Sequence, residues 1–194
     1  MEFVLNALVM GYRPLWNAER HLSGVQLFLH DDPQTPVDSA HLLRILREMW
    51  APASPLLLLS PQSPQLLQAL LSHITPCPSW VLEVQSAWLA HSTDLQASVA
   101  QAAQRGIALV WRGGMNHLPT TAEANDYACS LLHLDPQDAL ILMRATVDQP
   151  VPQRLALLEG QMYEDIHSQS LARRCLEHYH ASAIAGWPTE DVLH

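Results

Sequence analysis

Short apolar runs alternate along the chain with longer segments whose apolar residues recur at helical spacing. A run with no polar position, such as Leu56–Leu59, is typical of a strand in a parallel sheet that is covered on both faces. Five helices are predicted between the runs, at 39–50, 63–76, 93–106, 120–132 and 168–179, each with a capping residue at its start; for the first of them the cap is Asp38 or Ser39. The runs themselves predict eight β-strands, at Phe3–Met10, Val25–Leu29, Leu56–Leu59, Val81–Val84, Ile107–Trp111, Ala139–Met143, Leu155–Leu158 and Ser182–Ala185.

Strands that alternate with helices predict an α/β fold, and eight of them predict a (β/α)8 barrel of the TIM type. The barrel is expected to be irregular. The segment that joins the first two strands contains Pro14 and ends at Gly24, and it has no room for a crossover helix, so these two strands should pair antiparallel. The connection from Met143 to Leu155 is short and contains two prolines, which predicts that some helices are shortened.

Composition narrows the classes of function. The 194 residues are the size of one domain, taken as 1–194, and only 15% are charged, against an average of about 25%, so much of the chain is expected in the interior or against a partner. A net charge of −9 argues against binding to nucleic acid or to an anionic membrane. All ten basic residues are arginines, and the absence of lysine excludes a P-loop lysine and Schiff-base chemistry.

Candidate chemical groups are scattered. The three cysteines stand far apart and form no C-x-x-C pair, which indicates small core residues in a reducing compartment. No signal peptide and no membrane-length apolar run is present, so a cytoplasmic location is expected. The eleven histidines show no metal-ligand spacing, and neither a metal nor another cofactor is predicted. Glu164-Asp165 is either an acidic pair at the catalytic edge of a barrel or the acidic start of a helix.

Seven segments, in order along the chain, resemble the motifs of the EAL domain, the cyclic di-GMP phosphodiesterase family. The ending Gly186-Trp187-Pro188 is most similar to EAL domains that precede an HDOD domain, and this likeness implies a downstream HDOD-like partner domain. The similar segments are Tyr12-Arg13-Pro14-Leu15 (Y-Q-P-I), Gly24 to His30 (G-x-E-A-L-x-R), Leu58-Leu59-Ser60 (N-x-S), Glu83 to Ser86 (E-x-T-E), Gly106 to Gly114 (the strand into D-D-F-G), Glu159 to Met162 (E-G-V-E) and Ala185 to Pro188 (Q-G-Y or Q-G-W).

The residues that hold two metal ions in the family differ here. Hydrolysis of a phosphodiester by two cations needs oxygen ligands and a base that generates hydroxide. By the resemblance only Glu83 and Glu159 keep a carboxylate, which implies a degenerate site. The replaced positions are Gln26 for the naming glutamate, Leu58 for the asparagine, Arg112 and Gly113 for the aspartate pair, Ile141–Met143 for K-I-D, and Met162 for the second glutamate of E-G-V-E.

The resemblance therefore implies a non-catalytic bacterial signal-transduction or scaffold domain that binds another protein. One alternative is a receptor that binds cyclic di-GMP without cleaving it, with Arg13 and Arg112 near the phosphates, and a second alternative is an active phosphodiesterase. The low charge also predicts association with a second copy or with a missing C-terminal domain. The expected contacts are Met115 and Leu118 in one loop and Trp187 in the last segment.

Overall fold

Eight strands close into one barrel in the computed structural model, which describes residues 8–32, 34–35, 37–51, 53–115, 118–144 and 161–186. The strands are β1 (Leu8–Trp16), β2 (Leu22–Asp31), β3 (Leu56–Pro61), β4 (Trp80–Gln85), β5 (Leu109–Gly114), β6 (Cys129–His133), β7 (Met162–Glu164) and β8 (Ala183–Ala185). The helices in the described residues are α1 (Ser39–Met49), α2 (Pro64–His73), α3 (Ser86–Leu89), α4 (Thr93–Gln104), α5 (Thr121–Ala124), α6 (Pro136–Arg144) and α7 (Gln169–Glu177). This confirms the predicted α/β barrel.

Strand β1 runs against its neighbours, as the short first connection predicts. It pairs antiparallel with β2 along its length and with β8 at Leu15 and Trp16, whereas β2 to β8 follow one another in parallel. Gly24 lies where β2 and β3 approach closely, because a Cβ there would come within 2.8 Å of the backbone oxygen of Leu56. Any side chain at position 24 would therefore push β2 away from β3.

Most helices begin at the cap that the sequence indicates, and α4 is capped one residue earlier than predicted, by Ser92. The side chains of Asp38, Ser63, Ser92 and Ser168 each accept a backbone N–H three residues further on, at the starts of α1, α2, α4 and α7. Thr120 and Glu123 form a reciprocal capping box at α5, which is only one turn long. In the described residues no helix is long and apolar enough to cross a bilayer.

Two predicted elements around the sixth strand are wrong. Ala139–Met143 lies in helix α6 and is not a strand, while Leu131 and Leu132, predicted to lie on a helix, form the middle of β6. An apolar run of this length fits a buried strand or a helix with an apolar surface equally well, so its period does not distinguish the two. The first strand starts at Leu8 and extends to Trp16, and the predicted strand Leu155–Leu158 lies outside the described residues.

The barrel interior is filled by a layer of apolar side chains from nearly every strand. A second and larger apolar cluster fills the space between the sheet and α1, α2 and α4. The inner layer consists of Leu15, Leu58, Val81, Val110, Leu131, Met162, Ala183 and Ala185.

Candidate functional site

A ring of polar side chains lies one pleat above the apolar layer, at the mouth of the barrel. Side chains two apart on a strand face the same side, so the inward residue after Val81 is Glu83 and the one after Val110 is Arg112. Strand β1 runs the other way, and its mouth residue is therefore two positions earlier than Leu15. The ring is formed by Arg13, Gln26, Ser60, Glu83, Arg112, His133 and Glu164.

Arg112 bridges the two buried carboxylates of the ring. Its Nε and Nη2 donate to the two oxygens of Glu164 at 2.7 and 3.1 Å, and its Nη1 donates to Oε1 of Glu83 at 3.1 Å. Both glutamates have no exposed surface, while the arginine side chain is 23% exposed. The guanidinium cation thus lies between two anions that no solvent reaches, and its fork geometry engages Glu164 in a bidentate pair.

Arg13 and Gln26 complete the network from the opposite side. Arg13 Nη2 donates to Oε2 of Glu164 at 2.6 Å, and its Nε and Nη2 both donate to Oε1 of Gln26 at 3.1 and 2.8 Å. The Gln26 amide donates in turn to Ser60 Oγ and to Oε2 of Glu83, each at 3.0 Å. Ser60 Oγ donates to the same Glu83 oxygen at 2.5 Å. Every buried polar side chain of the ring therefore has a partner within the ring.

Burial and mutual attraction shift the pKa values of two side chains of the ring. Desolvation raises the pKa of Glu83 above its ordinary value, and the opposing attraction of Arg112 and the Ser60 hydrogen bond do not fully offset it. Desolvation also acts to lower the pKa of Arg112, but the charges of Glu83 and Glu164 outweigh it and raise the arginine pKa further. Arg112 is thus a permanent cation at this position.

At the rim, His133 and Asp165 extend the network toward solvent. His133 Nδ1 lies 2.5 Å from Oδ2 of Asp165, and Arg13 Nη1 lies 3.8 Å from the other oxygen of that carboxylate. One ligand atom each from His133, Glu164 and Asp165 fall within 4.8 Å of one another, a spacing at which a cation could bind. Both Glu164 oxygens already accept from guanidinium groups, however, so a divalent cation would have to compete with two fixed positive charges.

The magnesium ions that the family resemblance implies do not fit these residues well. Gln26 presents a neutral amide that already bonds three neighbours, and Leu58 lies in the apolar layer and has no ligand atom. Gly113 has no side chain, and a Cβ there would come within 2.7 Å of Ser86 Oγ. The two buried carboxylates, Glu83 and Glu164, are held by Arg112.

Five of the predicted site residues lie together at the mouth of the barrel or directly below it. Others lie elsewhere in the fold or outside the described residues. Arg13, Gln26, Glu83 and Arg112 meet at the mouth, with Leu58 directly below them. Met162 belongs to the apolar layer instead of the mouth. The predicted register of the E-G-V-E segment is therefore wrong. Strand β7 ends at Glu164, so Glu164 and not Met162 lies at the mouth. Glu159 and Trp187 lie outside the described residues.

The residues predicted at the family's K-I-D position also lie elsewhere than at the mouth. Since Ile141–Met143 is helical, the end of the sixth strand is Leu131–His133, and a histidine faces the mouth there. Met115 and Leu118, predicted as association contacts, are half-buried against the apolar cluster around Leu132 and Leu142. The sequence predicts Glu164 only as one member of an acidic pair, either at the edge of a barrel or at the start of a helix. The signal that could place it at the mouth is its spacing of two residues from Met162, because residues two apart on a strand face the same side.

A cleft of about 740 Å³ opens beside the ring. Its wall comes from the ends of β4 and β5 and from α3, and Arg112, His133 and Glu164 form its polar side. Trp111 and Leu89 contribute apolar surface. The cleft is at the carboxyl ends of the strands, where barrels of this kind bind their ligands.

Several solved structures of EAL domains and an EAL-like domain are similar to this chain. The EAL domain of Mycobacterium smegmatis DcpA superposes with a TM-score of 0.59 at 13% identity, covering 93% of this chain and 90% of that chain. The chain has the EAL-domain fold. The EAL-like domain protein YdiV gives 0.57 at 14% identity, with 97% and 95% covered. The FimX EAL domain from Pseudomonas aeruginosa bound to c-di-GMP gives 0.51 at 15%, with 94% and 89% covered.

No family model matches the sequence, and no curated protein matches it. The likeness to the solved EAL domains therefore establishes the fold and confirms the sequence resemblance at that level. The chemistry of the chain has to be judged from its own mouth residues.

Proposed function

We propose that this chain is a non-catalytic EAL-like signal-transduction or scaffold domain that acts by binding another protein. The observation that supports the proposal is the position of the Arg112 guanidinium between the buried carboxylates of Glu83 and Glu164. A cation covalently attached to the barrel neutralises the acidic groups that would otherwise attract metal ions.

Chemistry supports the same interpretation. Two-metal hydrolysis depends on ions that lower the pKa of a bound water and clamp the phosphodiester. A guanidinium keeps its protons at neutral pH and cannot activate water as a Lewis acid. Gln26 and Leu58 add neither negative charge nor a free oxygen ligand to the mouth. The protein partner in this proposal is a separate chain or an HDOD-like domain downstream.

Hydrolysis of cyclic di-GMP in excess Mg²⁺ or Mn²⁺ tests the proposal. We expect no linear dinucleotide above the level of a protein-free control. Product that forms in proportion to protein concentration would overturn the proposal if it is abolished by Glu83→Gln and retained in Glu48→Gln. Glu48 is a matched control because its carboxylate is exposed and pairs with Arg44 on the same helix, away from the mouth.

The second candidate is a receptor that binds cyclic di-GMP without cleaving it. The cleft beside Arg112 favours it, since an arginine at a pocket wall is a common phosphate ligand. The two buried carboxylates act against it, because Arg112 already donates to Glu83 and Glu164 and a phosphate would have to compete with both for the guanidinium. Calorimetry with cyclic di-GMP, with and without Mg²⁺, separates the candidates: saturable heat without turnover supports the receptor, and no heat supports the scaffold.

A further inference from the structure

Two cavities lie at the end of the barrel opposite the mouth, where β3 and β4 begin, and Arg47 of α1 lines both of them. The smaller cavity measures about 240 Å³ and lies between α1 and the end of α2, with Trp80 in its wall. The larger cavity measures about 580 Å³. This end of a barrel ordinarily serves stability, so a ligand site here would be distinct from the ring. The apolar members of the larger wall are Trp50, Leu56, Pro76 and Pro78.

Arg47 is fixed in place without a counter-ion. Its Nη2 donates to Thr75 Oγ1 at 2.6 Å, and its guanidinium carbon lies 5.5 Å from the centre of the Trp80 ring. Within the described ranges no carboxylate lies within ion-pair distance of Arg47, whereas Arg44 and Arg112 both pair with glutamate. The Nε and Nη1 groups of Arg47 have no acceptor in the same part of the chain. The cation is therefore oriented in advance of any ligand.

A role at the helix end does not account for this arrangement. Arg47 lies in the last turn of α1, where a positive charge offsets the helix dipole, but that effect needs no contact with an aromatic ring. Trp80 is 3% exposed, and its Nε1–H is buried and has no acceptor among the described residues. Buried donors are almost always paired. Two neighbouring side chains thus have donors that lack acceptors, and no acidic residue is among the described residues that line the smaller cavity.

We propose that Arg47 and the two cavities bind a carboxylate that is attached to an apolar body. A planar guanidinium offers paired N–H groups that match the two oxygens of a carboxylate. A doubly charged phosphate fits less well, because α1 and α2 both end at the smaller cavity and the C-terminal end of a helix carries a partial negative charge. The apolar wall of the larger cavity suits the body of the ligand.

Two sources carry this chemistry: a free organic acid, and an acidic side chain next to a large apolar one on a partner protein. In both, the carboxylate supplies the counter-ion that Arg47 lacks within the described residues, and the apolar part lies against the wall that contains Trp50. None of these residues belongs to the ring at the mouth, so the proposal stands whether or not the mouth is catalytic.

The indole N–H signal of Trp80 in a proton–nitrogen NMR correlation spectrum reports on the site, and Trp80→Phe assigns that signal. Phenylacetate is the probe for a free acid, and N-acetyl-glutamyl-phenylalanine amide is the probe for an acidic side chain. We expect phenylacetate to shift the signal saturably, with a Kd on the order of 1 mM for a ligand of this size. Acetate lacks the apolar body and phenylacetamide lacks the charge, so each should bind at least about tenfold more weakly.

Variants of Arg47 test its role. Arg47→Gln should abolish the saturable shift, and Arg47→Lys, which keeps the charge but not the planar fork, should weaken binding several-fold. Arg173→Gln is the matched control and should bind normally, because Arg173 is exposed on α7 and lines neither cavity. Circular dichroism of each variant verifies that the barrel is folded.

The order of the two probes identifies the source: tighter binding of the dipeptide assigns the site to a partner protein, and tighter binding of phenylacetate assigns it to a free acid. Three results would overturn the proposal. One is the absence of a shift with either probe up to about 20 mM. Another is binding of phenylacetamide or inorganic phosphate as tight as that of phenylacetate. The third is unchanged binding in Arg47→Gln.

Discussion

Removing the Arg112 side chain should destabilise the barrel through the charges that it leaves behind. In Arg112→Ala the carboxylate of Glu83 remains fully buried and keeps only the hydrogen bonds from Ser60 and Gln26. Glu164 remains paired with Arg13. The main cost is therefore an uncompensated anion at Glu83, because breaking one side of a buried pair costs more than the pair itself contributes.

The magnitude follows from burial. Loss of one partner from a buried ion pair costs about 3–5 kcal/mol. Since the Arg112 side chain is 23% exposed and Arg13 still neutralises Glu164, we expect the free energy of unfolding to fall by about 2–3 kcal/mol. For a chain of this size that corresponds to a melting temperature lower by about 4–12 °C.

The loss should also depend on pH in a defined direction. Without Arg112 the pKa of buried Glu83 rises further, so the native state binds more protons than the unfolded state. Stability of the variant should then fall as pH rises through the window above the ordinary glutamate value of about 4.3. The difference from wild type should be smaller near pH 5 than near pH 8.

Urea denaturation of wild type, Arg112→Ala and Arg44→Ala measures these differences. Arg44 pairs with Glu48 at the surface, where both side chains are more than half exposed, and its loss should cost about 0–1 kcal/mol. Adding Glu83→Gln to Arg112→Ala should recover part of the stability, since it removes the unpaired charge. Two results would contradict this interpretation of the ring. One is an Arg112→Ala variant as stable as Arg44→Ala. The other is a double variant whose loss of unfolding free energy equals the sum of the two single losses.

Four further outcomes are expected. Millimolar Mg²⁺ should not raise the melting temperature relative to NaCl of equal ionic strength, and a specific rise would reveal a metal site. Because burial raises the pKa of Glu83, wild-type stability should decline as pH rises through the window above about 4.3, and Glu83→Gln should flatten that slope in urea titrations. Alkylation at about pH 8 should modify half-buried Cys77 first, since burial raises the pKa of Cys129 to about 11 and of Cys175 to about 12; equal labelling rates by mass spectrometry would contradict this. A variant with the family's metal ligands restored should still not hydrolyse cyclic di-GMP, because side chains that act as a unit are not additive and a Cβ at position 113 meets Ser86 Oγ. That variant combines Gln26→Glu, Leu58→Asn, Arg112→Asp and Gly113→Asp.

Local rules in the sequence determined most of the architecture. The unbroken apolar runs of the strands, the capping residues before the helices and the short first connection depend on neighbours within a few positions, and they predicted the barrel and its antiparallel first pair. They failed at 139–143, because an apolar run of this length fits a buried strand and a helix with an apolar surface equally well. The register of the seventh strand was missed because Met162 and Glu164 differ only in their depth along the barrel axis.

The candidate site was decided by tertiary structure. The sequence contains Arg112, Glu83 and Glu164, and a family comparison makes Arg112 conspicuous, but the ion pairs join residues 29 and 52 positions apart in the chain. Such contacts form only when the barrel closes and places the ends of β4, β5 and β7 at one mouth. Burial then makes each charge depend on the others, because a carboxylate shielded from water is stabilised by its partner and not by solvent. The sequence alone determined which residues are present at the strand ends, and closure of the barrel determined that they neutralise one another.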